Sequence, residues 1–284
     1  MREHTLALSG LARQWSPEVW PLVVAGIALA LFLQGFIRLR RRGRPDCASW
    51  GRLGMFVAGV AVSVLPLVSP MDPLSDDYLL SVHMLEHVLL GDAGPALMVC
   101  AVRGPLVMFL LPPWPLRPLA RSGAIRRLLG LVTRPAASLS IWAIVMGFWH
   151  VPAAYDYTLD HQRVHDIEHA TFALVGLLVW VGLIDPARHG RLGVPHRLVY
   201  ALVLFAFGQV LADVLLLSFH PLYGSYANQP ARVAGISPLL DQRLAGAVMM
   251  VEQAVTLGTF SVLTYRRRPL GRVEAVRKPA AARR

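Results

Sequence analysis

The chain has 284 residues, of which 55% are hydrophobic and only 16% charged, and its formal net charge is +11. Soluble domains carry about 25% charged residues, and the apolar residues here fall in runs of about 20, the length that crosses a bilayer; this excludes a water-soluble globule. Of the 28 basic residues 27 are arginine, and they sit in short loops between apolar runs, a pattern that orients a membrane protein rather than one that reads nucleic acid.

The predicted elements are seven membrane helices in a single domain spanning 1–284. The N-terminal leader is too polar for a cleaved signal peptide, so the first apolar run, 20–39, is expected to stay as a helix. It ends in the basic stop RLRRRGR. The second span covers 53–69 and ends at SPMDP. The third, 78–102, contains HMLEH. Next comes RGPLVMFLLPPWPLRPL, covering 103–119, which is apolar but broken by five prolines. Proline removes a helix donor, so an interfacial or re-entrant segment is expected there. The fourth span covers 135–154 and the fifth, 164–184, contains HDIEH. The sixth covers 196–218 and the seventh 242–264. A basic tail, 265–284, follows; it is expected to serve as a plain positive-inside anchor, with contact to anionic lipid as the alternative.

The loops after the odd-numbered spans hold 23 lysines and arginines, against 5 on the other side. The positive-inside rule then places the N-terminus outside and the C-terminus in the cytoplasm. Asp72, Asp76, Asp77, Asp156 and Asp160 all fall in segments expected outside. Cys47 and Cys100 form no paired motif, so neither a disulfide framework nor a thiolate metal site is expected.

One frame, His-x-x-Glu-His, occurs twice, as His83–His87 and His165–His169, 82 residues apart. The i, i+4 spacing puts both histidines of each copy on one helix face. Both copies lie where their spans enter from outside, and His150, in FWHVPAAYD, sits at comparable depth. Titratable groups in hydrocarbon are costly, so imidazoles converging from three helices point to a shared internal site. The candidate metal ligands are His83, His87, His150, His165 and His169. Glu86 and Glu168 are candidates for orienting those imidazoles, and Asp213 and Asp241 for admitting a cation from outside. A polar network that only locks helix pairing is the alternative. Imidazole suits copper, zinc and iron alike. The frame also matches the inverted zincin pattern, with glutamate as general base, and facing histidines can hold haem. A carrier, a membrane-embedded zinc hydrolase and a haem redox protein therefore stay open.

The strings FLQGFIRLRRRG, SVHMLEHVLL, FWHVPAAYDYTL, HDIEHATFALVGLLVW and LYGSYANQPARVAGISPLLDQRLAGAVMM resemble the CtaG family linked to assembly of caa-type cytochrome c oxidases, which is distinct from the single-span copper chaperone sharing that name. The resemblance implies a seven-span protein of the bacterial inner (plasma) membrane, with oxidase subunits and an external copper carrier as partners, and copper as its metal. It implies functional roles for the histidine pairs, for His150 and for Asp241. The family pattern often has Gln where this chain has Glu86, which favours an orienting role over a catalytic one. Met250 stands where the family pattern has tryptophan. On this reading no covalent chemistry is needed, and the chain is expected to be a carrier rather than an enzyme.

Overall fold

Long uninterrupted runs of Leu, Val, Ala and Ile dictate helices here, because in hydrocarbon every backbone amide must be bonded within its own segment. The computed structural model describes residues 4–6, 19–187, 190 and 192–266. The expected tail beyond Arg266 lies outside the described residues. The long helices are α1 (Val19–Arg41), α2 (Trp50–Val68), a broken helix α4–α5 (Leu80–Val88 and Gly94–Ala101), α11 (Gln162–Ile184), α12 (Val194–Leu217) and α14 (Pro238–Arg266). Between them lie α3 (Met71–Asp77), α6 (Leu106–Phe109), α7 (Pro113–Arg121), α8 (Gly123–Val132), α9 (Pro135–Trp149), α10 (Pro152–Asp160) and α13 (Gly224–Ala227). Among the described residues, six helices are long and apolar enough to cross a membrane, and α8 with α9, bent by 72°, makes a seventh candidate. The protein is an all-α, multi-pass membrane protein.

The outward faces carry large apolar side chains, such as Ile144 at 69% exposure, Leu174 at 64% and Val210 at 62%. Such stripes on several helices suit lipid, not water. The inward faces pack closely. A Cβ on Gly176 would lie 1.8 Å from the carbonyl oxygen of Gly91, so α11 meets the broken helix backbone to backbone. Small residues permit this kind of contact between membrane helices.

Two departures from the sequence reading have local causes. The fourth span stops at Trp149 rather than at 154, because Pro152 has no amide to continue the helix and instead starts α10. The third span is interrupted by a π-helical turn, Leu89–Ala93, closed by the Gly94 amide bonding to the Leu89 carbonyl. Pro95 follows at once and cannot bond back to Gly91, which favours the wider turn.

The proline-rich stretch packs beside the basic end of α1. The Phe109 and Leu111 carbonyls accept from Arg38, at 3.4 and 3.2 Å, and the Leu110 carbonyl accepts from Gln34. At the other end, β1 (His4–Leu6) pairs in parallel with β2 (Ala231–Val233), His4 opposite Ala231. This pairing puts the segment before α1 on the same side as the α12–α14 connection. An even number of crossings separates the two, which agrees with α9 counting as a span.

The sides are therefore testable. A reporter active only in the cytoplasm is expected to work when fused after Arg284 and to be silent when inserted after Asp160. The reverse pattern would contradict the orientation.

Candidate metal centre

His83 and His87 lie one turn apart on α4, and His165 and His169 one turn apart on α11. The close approach of these helices brings the two pairs face to face. One ligand atom from each of the four histidines lies within 4.8 Å of all the others. All four are at most 5% exposed. Nε2 of His83 and Nε2 of His87 are 2.8 Å apart, while Nε2 of His165 and of His169 are buried without a protein partner. Unpaired buried nitrogens are rare in folded proteins. Neighbouring rings are spaced 4.1 to 6.1 Å, centroid to centroid.

The far side of the rings is held by a residue that sequence reading treated only as an external acid. Asp76, on α3, places Oδ1 3.3 Å from Nδ1 of His83 and Oδ2 3.5 Å from Nδ1 of His165. One carboxylate thus spans both helices. Burial pushes the Asp76 carboxyl up, but the hydrogen bond and charge of His83 and the charge of His165 outweigh this and hold it below its ordinary value. A carboxylate on Nδ1 fixes the proton there and leaves Nε2 as the electron-pair donor. Tyr226 adds a second acceptor: its hydroxyl lies 3.1 Å from His83 Nδ1 and donates to the Ser75 carbonyl at 2.7 Å.

The glutamates are both fully buried, but they sit differently. Glu168 Oε1 is 3.9 Å from Nε2 of His87, close to the ligand side of the cluster. Glu86 is hydrogen-bonded through Oε2 to the Ser75 hydroxyl at 2.8 Å. It supports the turn that carries Asp76 rather than touching an imidazole through that oxygen.

Three expected site residues are placed elsewhere. His150 is not among the four grouped histidines. It closes α9, with Nδ1 2.7 Å from the Met146 carbonyl, and shares an internal cavity with His87. Asp213 bonds Gln209 on its own helix at 2.8 Å, so its carboxylate is engaged there. Asp241 is 3% exposed and caps α4: its carboxylate accepts from the amides of Leu80 and Ser81, at 2.7 and 3.1 Å, and from the Ser81 hydroxyl. A buried cap is a structural anchor, and this corrects its expected place at an ion entrance. No sign of this was in the sequence, since an aspartate that binds a distant helix end looks the same in one dimension as one that meets solvent.

The peripheral loop is pinned in a similar way. Asp156 on α10 accepts from the amides of Gly224 and Ser225 and from the Ser225 hydroxyl, at 2.8 to 3.1 Å. That holds Tyr226 over His83. Ser75, Asp76, Tyr226 and Asp156 were all missed as site residues. Their only signal was that Asp156, Tyr226 and Ser225 fall in two of the strings that carry the family resemblance.

The family described as cytochrome c oxidase caa3 assembly factor (Caa3_CtaG) matches residues 30–268. The chain belongs to this family. Comparison with curated proteins and with solved structures returned no match. Members of the family are cytochrome c oxidase assembly factors, and both histidine pairs, Asp76 and Tyr226 lie within the matched residues.

Because Asp241 caps α4, Asp241→Ala is expected to orphan the buried Leu80 amide and the part-buried Ser81 amide and cost about 1–2 kcal/mol. Thermal unfolding in detergent should show a lower midpoint. An unchanged midpoint would contradict the capping role and restore that of an ion entrance.

Proposed function

We propose that this assembly factor binds a copper ion in the cluster of His83, His87, His165 and His169, near the external face of a bacterial inner membrane, and supports formation of a copper centre in the oxidase. The observation that carries the reading is the set of four buried imidazoles from two helices, with donor atoms within 4.8 Å of one another. A tetrahedral ion with bonds of about 2.0–2.1 Å needs donors about 3.3 Å apart, which small side-chain rotations supply. Imidazole is a borderline-soft donor that accepts copper readily. Rings packed this closely leave no slot for a macrocycle, so the geometry favours a bare ion over haem. His150, outside the cluster, is not needed as a ligand.

The proposed role of each group follows from its contacts. The imidazole Nε2 atoms bind the ion. Asp76 and Tyr226 hold the Nδ1 protons of the rings that carry them, which keeps the other nitrogens available. The cluster lies on the side holding 5 of 28 basic residues, the side the positive-inside rule places outside. There it can receive copper from an external carrier and pass it to an oxidase subunit. The ion is cargo in this reading, and the protein's work is binding, orientation and release.

The double change His83→Ala with His87→Ala is expected to remove most copper bound per mole of purified protein and to abolish oxidase assembly in a deletion strain. Glu86→Gln is expected to retain both, since an amide still bonds the Ser75 hydroxyl. Metal content by elemental analysis and oxidase activity in membranes at matched expression are the readouts. Equal copper in wild type and double mutant would end the assignment. Loss of zinc in place of copper would favour the hydrolase, with Glu168 as base.

A further inference from the structure

Next to the histidine cluster, the bundle encloses a cavity of about 50 Å³, room for a few waters. Its outer end is lined by His87 and His150, and it also reaches Asp92 on the π turn and Glu252 and Gln253 on α14. In a regular α-helix, a residue five after His87 would sit well off the same face. The π turn inserts one extra residue, so Asp92 takes the place an i+4 residue would have, about 6 Å along the axis from His87.

The polar groups around this cavity are unusually poorly paired. Asp92 lies within reach of two donors: Trp180 Nε1 bonds Oδ1, and the Thr256 hydroxyl, 3.1 Å from Oδ2, is shared with the Glu252 backbone carbonyl at the same distance. Glu252 lies beside it and the two side chains interact directly, yet both Glu252 oxygens are buried without a hydrogen bond of ordinary geometry. Gln253, 9% exposed, has an unpartnered Oε1, and His87, 5% exposed, an unpartnered Nδ1. Among the described residues, the titratable groups on the lining are Asp92 from the π turn, Glu252 from α14, His87 from α4 and His150 at the end of α9; α11 and α12 contribute none, and no lysine or arginine lines the cavity. Two carboxyls side by side in hydrocarbon, with no cation, cannot both be ionised. One proton held between the two carboxyls removes that repulsion.

We propose that Asp92 and Glu252 form an intramembrane proton-binding pair, which holds one shared proton and exchanges it through water in the cavity past His87 and His150. The proton leaves as a cation enters the histidine cluster, so one positive charge replaces another in the low-dielectric interior. The balance is simple: a neutral carboxyl becomes a carboxylate and the proton passes to external solvent. No electron moves and no other bond breaks. The coupling to loading rests on the copper-binding reading, whereas the proton site stands without it.

Infrared spectroscopy of the metal-free, full-length protein in lipid tests the pair. A protonated carboxylic-acid band is expected in wild type at neutral pH, shifted in heavy water and lost in Glu252→Gln. Thr256→Val, which keeps both acids, should move the band without removing it, and so controls for misfolding. Loading with copper should reduce the wild-type band, and copper content measured on the same samples tests the metal reading separately. A spectrum unaltered by Glu252→Gln, a band that does not shift in heavy water, or a band that appears only when sodium is withdrawn would each overturn the proton assignment. A band that persists at full copper occupancy would overturn the coupling.

Discussion

The reach of Asp76 to two imidazoles on two different helices is the interaction on which the site depends. Without it, His83 and His165 would be free to place their protons on either nitrogen, and the cluster would have no defined donor face. A single carboxylate within 3.5 Å of Nδ1 on both α4 and α11 favours the proton on that nitrogen of each ring. The rest of this end of the bundle is arranged to keep that carboxylate in place. Ser75 ties α3 to Glu86, Tyr226 closes over His83, Asp156 holds the loop bearing Tyr226, and Asp241 ends α4 at the correct height. Each contact is an ordinary hydrogen bond. Together these four contacts join α3, the start of α4 and the loop bearing Tyr226 into one cap above the histidines.

Below the cap, the same problem of burying polar groups is solved differently. The histidines and acids that line the inner cavity have few protein partners, which is costly unless an ion, a proton or water completes them. The glycine contact between Gly91 and Gly176 is what brings the helices close enough for this. The bundle thus has a well-satisfied outer layer and an unsatisfied inner one, and the second is where cargo and protons are expected to move.

Much of this was legible in one dimension. Apolar runs of bilayer length gave the all-α, multi-pass fold, and the repeated His-x-x-Glu-His frame gave the four clustered histidines. That frame works because i, i+4 spacing fixes a helix face irrespective of tertiary context. What could not be read was which acid meets which ring. Asp76 lies seven residues before His83 across a helix break, and Tyr226 is 143 residues away from it. Such contacts depend on loop paths that no periodicity encodes. The π turn was also invisible as such, although the string GDAGP, with proline following two glycines, supplied its physical cause. Asp241 was read for its charge, and its structural use came from a helix end 160 residues distant.

The central claim is that four imidazole nitrogens form the ion site. X-ray absorption at the copper edge of the loaded protein tests it most directly. The account predicts a nearest shell of nitrogen alone, with the outer scattering pattern of coordinated imidazole. A sulfur scatterer in the nearest shell, or a shell without imidazole scattering, would contradict it.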